Sequence, residues 1–338
     1  MRAYRLEKEG DLMGLIEHER AAPVPGPHDI VVRVHAVSLN KRDLFIKNGT
    51  YPLAPKGLVI PLSDGAGEVV EVGEQVTRFR LGDRVTGNYF ARWKSGPLEL
   101  DVFDQLGCTL DGMLAEFVLL DEQWAVKVPP HLSWEEAATL TCAGVTAWNC
   151  LVGPVPIVAG QSVLTIGTGG VSMFALQFAK ALGARVIACT SKGEKVGRLK
   201  ELGADVVINS SENPEWGANA RAATEGRGVD LVVETVGPET IEQSMRAVNM
   251  HGQVMLLIAR GPDNAGIQIS PWTYGSTAAT IRRVFVGNRT SFEAMNRAIT
   301  SNSISPIIDR VFPLSKLHDA FEYFAQGKSF GKVVITLK

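Results

Sequence analysis

A glycine-rich turn between a β-branched run and an apolar helix is the feature that most constrains this chain. The turn lies in Val163-Leu-Thr-Ile-Gly-Thr-Gly-Gly-Val-Ser-Met-Phe174, and the pattern continues through a helix to a second β-branched run near Ala188. Glycine lets the backbone turn sharply and approach a pyrophosphate, while the N-terminus of the following helix offers free N–H groups to an anion. Together, the strand, turn, helix and strand predict a dinucleotide-binding unit.

The turn itself supplies the predicted backbone contacts to the phosphates. These residues are Gly167, Thr168, Gly169, Gly170 and Val171. Ser172 stands at the third glycine position of the usual motif, where a small side chain still allows the helix to pack closely on the strand. The alternative is an ordinary strand-to-helix corner, because glycines also serve only to tighten such turns.

The end of the second strand indicates which nucleotide this unit prefers. Sites that prefer NAD carry an Asp or Glu there, which accepts hydrogen bonds from the ribose hydroxyls. This chain has hydroxyls and cations instead, and a 2′-phosphate would meet Thr190, Ser191, Lys192 and Lys195. The alternative is that the two lysines only solvate the start of a helix. The missing acid favours NADP(H) as the cofactor.

Strands and helices alternate from about residue 135 onward, which is typical of a parallel sheet covered by helices on both faces. The predicted strands of this region are Ser162–Ile166, Arg185–Cys189, Asp205–Ile208, Asp230–Glu234, Gln253–Ile258 and Thr280–Val286. Earlier residues are richer in short alternating strands. The predicted fold class is α/β, with a β-rich domain in residues 1–143 and 287–338 and a doubly wound Rossmann sheet of six parallel strands in residues 144–286.

Composition narrows the range of possible partners. The chain has 338 residues, enough for two domains, and a net charge of −2 with scattered basic residues, which argues against a nucleic-acid partner. It has no apolar run of the roughly 18 residues that a membrane span needs, and its start lacks the apolar core of a signal peptide. Its four cysteines form no CxxC pair. We therefore expect a cytoplasmic protein that acts on a small molecule and does not bind membranes.

Further segments make the chain resemble the medium-chain dehydrogenase/reductases over essentially its whole length. They are Val37-Ser-Leu-Asn-Lys-Arg-Asp43, Gly65-Ala-Gly-Glu-Val-Val-Glu-Val-Gly73, Leu140-Thr-Cys-Ala-Gly-Val-Thr-Ala-Trp148 and Phe285-Val-Gly-Asn-Arg289. Within that family the chain is most similar to the zinc-free quinone oxidoreductase and enoyl reductase branch. The resemblance implies a GroES-like fold for the β-rich domain and a nicotinamide cofactor for the Rossmann domain.

The same resemblance predicts that the chain has no catalytic metal. The zinc alcohol dehydrogenases of the family bind zinc through a Cys, a His and a second Cys, and at those positions this chain has Asn40, Ser63 and Cys142. An amide and a hydroxyl are poor zinc ligands, although Asp64 is a neighbouring carboxylate that could be recruited. The lobe that holds a structural zinc in that branch contains only Cys108. Cys142 is expected to be a small buried residue.

Tyr51 and Asn40 are the predicted catalytic residues. Tyr51 lies in Asn48-Gly-Thr-Tyr-Pro52, which resembles the segment where related enoyl reductases carry an active-site tyrosine. A phenol with a reference pKa near 10 keeps its proton at neutral pH and can donate it to an enolate or alkoxide. The alternative is a tyrosine that only packs beside its proline neighbour. Asn40 is a candidate ligand for a substrate oxygen or for the nicotinamide ribose, and Asp43 is expected to hold a backbone group or Arg42.

The remaining cofactor contacts are implied by the resemblance alone. Thr146 either packs beside the nicotinamide or hydrogen-bonds its own helix backbone. Lys332 is a candidate for a phosphate contact or for a structural ion pair. The backbone groups expected to hold the carboxamide are those of Leu257, Ile258, Ala259, Val286 and Asn288.

These observations predict a zinc-independent reductase that transfers hydride from NADPH to an activated C=C bond of an enone or to a quinone. Carbonyl reduction or alcohol oxidation without zinc is the enzymatic alternative, and a nucleotide-binding protein without turnover is the other. The apolar strand Thr280–Val286 is predicted at an edge of the sheet, where pairing with a second copy would give a homodimer.

Overall fold

The computed structural model describes residues 1–9, 12–258 and 266–337, which form two compact units. The first unit consists of Met1–Val145 and Val286–Lys338, and the second of Thr146–Phe285. Within the described ranges no helix is both long enough and apolar enough to cross a membrane.

The described residues contain fifteen strands and ten α-helices. The strands are β1 Arg2–Glu9, β2 Leu12–Glu19, β3 Asp29–Ser38, β4 Asp64–Val72, β5 Arg84–Gly87, β6 Phe117–Asp121, β7 Ala125–Lys127, β8 Ser162–Ile166, β9 Arg185–Thr190, β10 Val206–Asn209, β11 Val229–Glu234, β12 Val248–Leu256, β13 Thr280–Arg283, β14 Ile308–Pro313 and β15 Lys332–Thr336. The α-helices are α1 Lys41–Lys47, α2 Trp134–Ala137, α3 Val145–Val152, α4 Gly170–Ala181, α5 Val196–Glu201, α6 Trp216–Ala222, α7 Ile241–Ala247, α8 Pro271–Gly275, α9 Arg289–Ser301 and α10 Leu317–Ala325.

The second unit contains a six-stranded sheet in which all paired strands run parallel. Its strand order is β10-β9-β8-β11-β12-β13, in which two mononucleotide-binding halves meet at β8 and β11. Every residue of β8 is buried, as expected for a strand covered on both faces. The predicted α/β class with a Rossmann sheet is confirmed.

Two predicted strands of this sheet have limits that differ from the structure by more than one residue. β12 begins at Val248, five residues before the predicted start, and ends at Leu256. β13 ends at Arg283 instead of the predicted Val286. The N–H of Val284 still donates to the carbonyl of Leu256 at 3.0 Å. Because β12 ends at Leu256, the residues after Val284 have no partner in that strand, and β13 ends earlier than predicted.

The first unit is built on a mostly antiparallel sheet with the strand order β14-β15-β3-β4-β5-β7, and β6 also pairs with β3. β14 and β15 form its parallel pair. Apolar side chains of β3 and β15 meet in the core, among them Val32, Val34, Val333 and Ile335. β1 and β2 form a separate hairpin that the sequence pattern did not predict, because charged residues interrupt its alternation.

Three strands of the first unit converge where the functional residues lie. Ser38 at the end of β3 pairs with Asp64 at the start of β4 and with Val334 of β15. Because both pairings are antiparallel, extending the β3–β15 register by two residues places Asn40 opposite Lys332. Two residues that are almost 300 positions apart in sequence are thereby brought side by side.

Gly67 of β4 is required for the close approach of β3 and β4. A Cβ atom at this position would lie 2.2 Å from the carbonyl oxygen of Arg33 and 2.7 Å from the Cγ1 atom of Val32. The contact to the carbonyl involves backbone, which cannot move without opening the strand pair that carries Ser38 and Asp64.

We therefore predict that Gly67→Ala destabilises the protein by at least the ~1–3 kcal/mol typical of overpacking. Gly197→Ala is the matched control, since Gly197 lies in α5 with no atom within 4 Å of the added Cβ. The control should be neutral or stabilising by up to about 1 kcal/mol because alanine favours helix. Thermal unfolding followed by circular dichroism measures both, and equal melting midpoints for the two variants would contradict the prediction.

Candidate functional site

The glycine turn of the second unit is anchored to the sheet on both sides. Gly167 adopts a φ of +76°, which favours glycine, and its N–H donates to the carbonyl of Cys189 at 2.8 Å. The hydroxyl of Ser172 donates to the carbonyl of Ile166 at 2.6 Å, and the hydroxyl of Thr235 donates to the same oxygen at 2.8 Å. The serine that replaces the third glycine therefore joins the helix to the strand through a hydrogen bond.

The backbone after this turn is suited to bind an anion. Gly169 precedes α4 in an extended conformation, and a Cβ at Gly169 would meet no atom within 4 Å. The first N–H groups of a helix have no partner within the helix and lie at its positive end. Gly170 and Val171 supply such groups at the start of α4. The residues present therefore fit the pyrophosphate of a dinucleotide.

The end of β9 lies close to this turn. Thr190 is buried at the end of the strand, and its hydroxyl oxygen accepts the N–H of Lys192 at 3.2 Å. Ser191 and Lys192 are exposed. Lys195 is half-buried, and its ammonium donates to the hydroxyl of Thr168 at 2.9 Å. The structure thus brings a cation from the segment after β9 onto the glycine turn.

A buried carboxylate at the end of β11 holds the neighbouring loop, and sequence reasoning missed it. Glu234 accepts hydrogen bonds from the N–H groups of Val236 and Gly237 at 2.9 and 3.0 Å. It also accepts hydrogen bonds from the hydroxyls of Thr240 and Ser244. An acid at the last position of a predicted buried strand, followed by Gly-Pro, was the available signal.

Three further predicted cofactor contacts belong to the second unit, namely Thr146, Leu257 and Ile258. Leu257 follows β12, and its N–H donates to the carbonyl of Glu234 at 2.9 Å. Ile258 lies against Gly237, where an added Cβ would approach its carbonyl oxygen to 2.3 Å. Ala259 lies outside the described residues. Thr146 is buried in the first turn of α3.

Val286 and Asn288 belong to the first unit and differ from each other in their roles. Val286 adopts a φ of +31°, which is a strained conformation for a β-branched residue. Asn288 caps α9, since its side-chain oxygen accepts the N–H of Ser291 at 2.8 Å. The start of α9 is held by the irregular lobe at residues 91–107, because the N–H of Arg289 donates to the carbonyl of Trp93 at 3.0 Å.

Lys332 is the centre of a buried polar group in the first unit. Its ammonium donates to the carbonyl of Leu39 at 2.8 Å, to Oδ1 of Asn40 at 2.7 Å and to Oδ2 of Asp64 at 3.1 Å. The residue is 2% exposed. Since an ammonium has three donors and all three are used inside the unit, none remains for a phosphate. Of the two roles considered from sequence, Lys332 makes the structural ion pair.

The carboxylate of this buried group is also held by hydrogen bonds. The hydroxyls of Ser38 and Ser63 donate to the two carboxylate oxygens of Asp64, each at 2.9 Å. We call Ser38, Asn40, Ser63, Asp64 and Lys332 the lysine cluster. It occupies the convergence of β3, β4 and β15 and is linked to α1 through Asn40.

Asp43 and Arg42 are two residues of α1 that link the lysine cluster to Tyr51 and Tyr89. A carboxylate oxygen of Asp43 accepts the N–H of Asn40 at 2.8 Å, and the other lies 3.5 Å from the Arg42 guanidinium, as the sequence predicted. Burial raises the pKa of Asp43 to about 6, although the positive charge of Arg42 opposes that change. Arg42 is itself buried and donates to the carbonyl of Leu106 at 3.0 Å.

Tyr51 shares one acceptor with a second tyrosine. The Tyr51 hydroxyl donates to Oε1 of Gln105 at 2.8 Å, and the Tyr89 hydroxyl donates to the same atom at 3.0 Å. The two hydroxyl oxygens are 3.1 Å apart, and the Arg42 guanidinium lies over both rings. Burial raises the pKa of Tyr89 well above its usual value. Sequence reasoning missed Tyr89 and Gln105, because they lie in and beside the irregular lobe at residues 91–107, where no pattern predicts contacts.

Cys142 is partly exposed, whereas the sequence predicted a buried residue. It interacts electrostatically with Asp64, Lys332, Arg42 and Asp43. Burial raises the pKa of its thiol, so the residue is an uncharged thiol at neutral pH. Of the two predicted catalytic residues, Asn40 therefore belongs to the lysine cluster and Tyr51 shares Gln105 with Tyr89.

The residues present do not fit a catalytic zinc. Zinc ligands are imidazole, thiolate or carboxylate groups, and of Asn40, Ser63 and Cys142 only the cysteine is of this kind. The ammonium of Lys332 already bonds to Asn40 and Asp64 and would repel a dication there. Within the described part of the chain no three His, Cys, Asp or Glu side chains are grouped so that they could hold a metal ion.

Comparison with known proteins agrees with the architecture of both units. Residues 26–130 match the family model described as "Alcohol dehydrogenase GroES-like domain", and residues 170–301 match the one described as "Zinc-binding dehydrogenase". A zinc-type alcohol dehydrogenase-like protein of Schizosaccharomyces pombe is 39% identical, over 92% of this chain and 91% of its own length.

Two further relatives cover the whole chain. The quinone oxidoreductase of Lama guanicoe is 27% identical over 100% of this chain and 98% of its own length. A crystal structure of an NAD-dependent alcohol dehydrogenase has 28% identity and a TM-score of 0.88, and each chain is covered to 100%. The chain therefore belongs to the medium-chain dehydrogenase/reductase superfamily, as an oxidoreductase with a GroES-like domain and a Rossmann-type sheet.

Proposed function

We propose that this oxidoreductase is a zinc-independent, NADPH-dependent reductase that transfers hydride to an activated C=C bond of an enone or to a quinone. The observation that carries the proposal is the bonding of the Lys332 ammonium to Asn40 and Asp64. A buried cation in this position is incompatible with the metal that polarises the substrate oxygen in zinc alcohol dehydrogenases. The names of the quinone oxidoreductase relatives support the choice of acceptor.

Each of the two units has its own role in this proposal. We assign the first unit, Met1–Val145 and Val286–Lys338, to a catalytic domain and the second unit, Thr146–Phe285, to the dinucleotide-binding domain, with boundaries one or two residues from the predicted ones. The glycine turn and the start of α4 would hold the pyrophosphate through backbone N–H groups. When bound, a reduced nicotinamide supplies the hydride. The side chains of the first unit then have to bind the acceptor and stabilise the charge that develops on its oxygen.

Tyr51 is the proposed donor to that oxygen. A phenol has one proton, so Tyr51 can donate to a substrate only by giving up its hydrogen bond to Gln105. Tyr89 keeps the same Gln105 oxygen satisfied in that event, because its own hydroxyl donates there at 3.0 Å. The Tyr51 hydroxyl is therefore released without leaving a buried acceptor unpaired, which lowers the free-energy cost of its donation to the substrate.

The choice of NADPH rests on the segment after β9. Thr190, Ser191 and Lys192 offer two hydroxyls and a cation to a 2′-phosphate, and Lys195 adds a second cation beside the glycine turn. An acidic residue that would accept the ribose hydroxyls of NAD is absent from this position in the sequence. The relative described as NAD-dependent shares only 28% of its residues with this chain.

Alcohol or aldehyde chemistry is the second candidate function, because several relatives are named alcohol dehydrogenases. It requires another means than zinc of stabilising an alkoxide, and Tyr51 and Asn40 are the available donors. The two candidates differ in the acceptor that the enzyme reduces and share the cofactor and site.

We also propose a homodimer formed through the exposed edge of the Rossmann sheet. β13 is the last strand in the strand order, and its outer edge has no neighbouring strand among the described residues. Large apolar side chains before and after it in the sequence are exposed, with Trp272 of α8 at 84% and Phe285 at 42%. An open edge with exposed aromatic residues favours pairing with a second copy.

The preference for NADPH predicts that Lys192→Ala weakens NADPH binding by about 10-fold, which corresponds to about 1.4 kcal/mol, and leaves NADH binding unchanged. The reason is that only the 2′-phosphate pairs with the removed cation. Titration of cofactor fluorescence gives both dissociation constants. Lys200→Ala, which removes an exposed lysine of α5, is the control. Equal weakening of NADH and NADPH binding in Lys192→Ala would contradict the assignment.

The proposed chemistry predicts turnover of an enone or a quinone with NADPH after extensive dialysis against a chelator. Tyr51→Phe should lower kcat by at least about 100-fold, the lower limit usual for loss of a general acid. Tyr4→Phe, whose hydroxyl bonds only Glu17 on the β1–β2 hairpin, is the matched control. Oxidation of NADPH at 340 nm measures the rates. Turnover confined to aldehydes, or restored only by added zinc, would exclude the proposed function.

The dimer proposal predicts a sedimenting species of twice the 36.5 kDa chain mass at micromolar concentration. Pairing at the edge of β13 buries exposed aromatic surface, so the species should persist on tenfold dilution. Analytical ultracentrifugation measures this mass, and a stable monomer over the same concentration range would refute the dimer.

A further inference from the structure

We propose that Lys332 is a positioning residue, whose buried ammonium fixes the Asn40 side chain so that its Nδ2 group donates a hydrogen bond to an oxygen of the bound substrate or cofactor. The inference rests on the proposed function for the identity of those ligands. It assigns to Lys332 a role in orienting the site in addition to its structural ion pair.

The orientation of the Asn40 amide follows from the chemistry of its partner. An asparagine side chain presents an oxygen acceptor on one side and an NH₂ donor on the other, and the two look alike in shape. An ammonium can only donate. The Asn40 atom that lies 2.7 Å from Lys332 Nζ is therefore the oxygen, and the amide cannot turn over without placing donor against donor.

This orientation leaves a buried donor without a partner. Nδ2 of Asn40 is buried and has no hydrogen-bond partner within the described chain. The residue as a whole is 7% exposed. Leaving a buried amide unpaired costs about 1–3 kcal/mol, so such groups in folded proteins have a ligand or an ordered water as partner. Because Lys332 prevents rotation, Asn40 cannot satisfy this donor by itself.

The other contacts of the lysine cluster make the orientation rigid. The two remaining protons of the Lys332 ammonium are donated to Leu39 and Asp64, so the lysine has no alternative acceptor to move to. Asp64 is held in turn by the hydroxyls of Ser38 and Ser63. The backbone N–H of Asn40 is fixed by Asp43. Both ends of the Asn40 residue are thus held, and the free donor keeps one direction.

The ligand atom that this donor recognises is an acceptor oxygen, either a ribose hydroxyl of the cofactor or the carbonyl oxygen of the acceptor substrate. A donor fixed before binding stabilises negative charge on a substrate oxygen without reorganisation of the protein. Binding measurements with NADPH alone separate the cofactor from the substrate, because no acceptor is then present.

A comparison of four proteins tests the role of Lys332: the wild type, Asn40→Ala, the paired variant Lys332→Met/Asp64→Asn, and the triple variant that combines all three changes. The paired variant removes both buried charges together, since a single change would leave one unpaired and destabilise the fold. Lys316→Met is the control, because it removes an exposed lysine that pairs only with Asp319 at the surface of the same unit.

If Lys332 acts through Asn40, the paired variant and Asn40→Ala should each weaken the same step by about 10-fold, and the triple variant should weaken it no further. A ribose partner shows this pattern in the dissociation constant of NADPH. A substrate partner leaves that constant unchanged and shows the pattern in kcat/KM for the acceptor. Losses that multiply in the triple variant, or a paired variant with wild-type values, would overturn the proposal.

A second measurement uses the wild-type protein and does not depend on folding of the variants. In protein labelled with ¹⁵N at asparagine, the Nδ2 protons of Asn40, identified by their loss in Asn40→Asp, should shift when NADPH or an acceptor analogue is added. The carboxylate of that variant keeps a contact for Lys332 while removing the donor. An unchanged Asn40 signal with both ligands at saturation would overturn the proposal, whereas absence of turnover with a shifted signal would reject only the proposed function.

Discussion

The buried ion pair of Lys332 and Asp64 is the interaction on which the arrangement of the first unit's site depends. Taking two charges out of water costs several kcal/mol per ion, and their attraction offsets this only when further hydrogen bonds satisfy the remaining donors and acceptors. Here Ser38 and Ser63 complete the carboxylate, while Leu39 and Asn40 complete the ammonium. The pair therefore ties the ends of β3, β4 and β15 together at one point, and Asn40 is held there as a consequence.

The same pair holds a buried positive charge at Asn40, one of the positions compared with the zinc ligands of the family. A dication needs several anionic or imidazole ligands, whereas an ammonium needs three acceptors, which a backbone carbonyl, an amide and one carboxylate provide. The Asn40 amide is a poor ligand for zinc and a good acceptor for lysine. Burial raises the pKa of the Cys142 thiol, although the positive charge of Lys332 opposes that change.

The features that the sequence predicts are those with local causes. The limits of β8 agree with prediction residue by residue, because four β-branched or apolar residues follow Ser162 directly before a glycine turn and leave little choice. The pairing of Lys332 with Asn40 spans 292 positions and depends on the register of β3 with β15, which no local pattern encodes. Tyr89 and Gln105 were missed for a related reason, since their contacts to Tyr51 arise from the path of an irregular lobe.

The phosphate-binding turn and the lysine cluster differ in how readily their residues can be substituted. The phosphate-binding turn uses backbone N–H groups, so many side chains can vary around it as long as Gly167 can keep its positive φ. The lysine cluster uses side chains from three strands, and loss of one member leaves a buried charge or a buried donor unpaired. A substitution at one member of the lysine cluster therefore affects the others. Asn40 shows this dependence, since its amide keeps a fixed orientation only while the Lys332 ammonium donates to its oxygen.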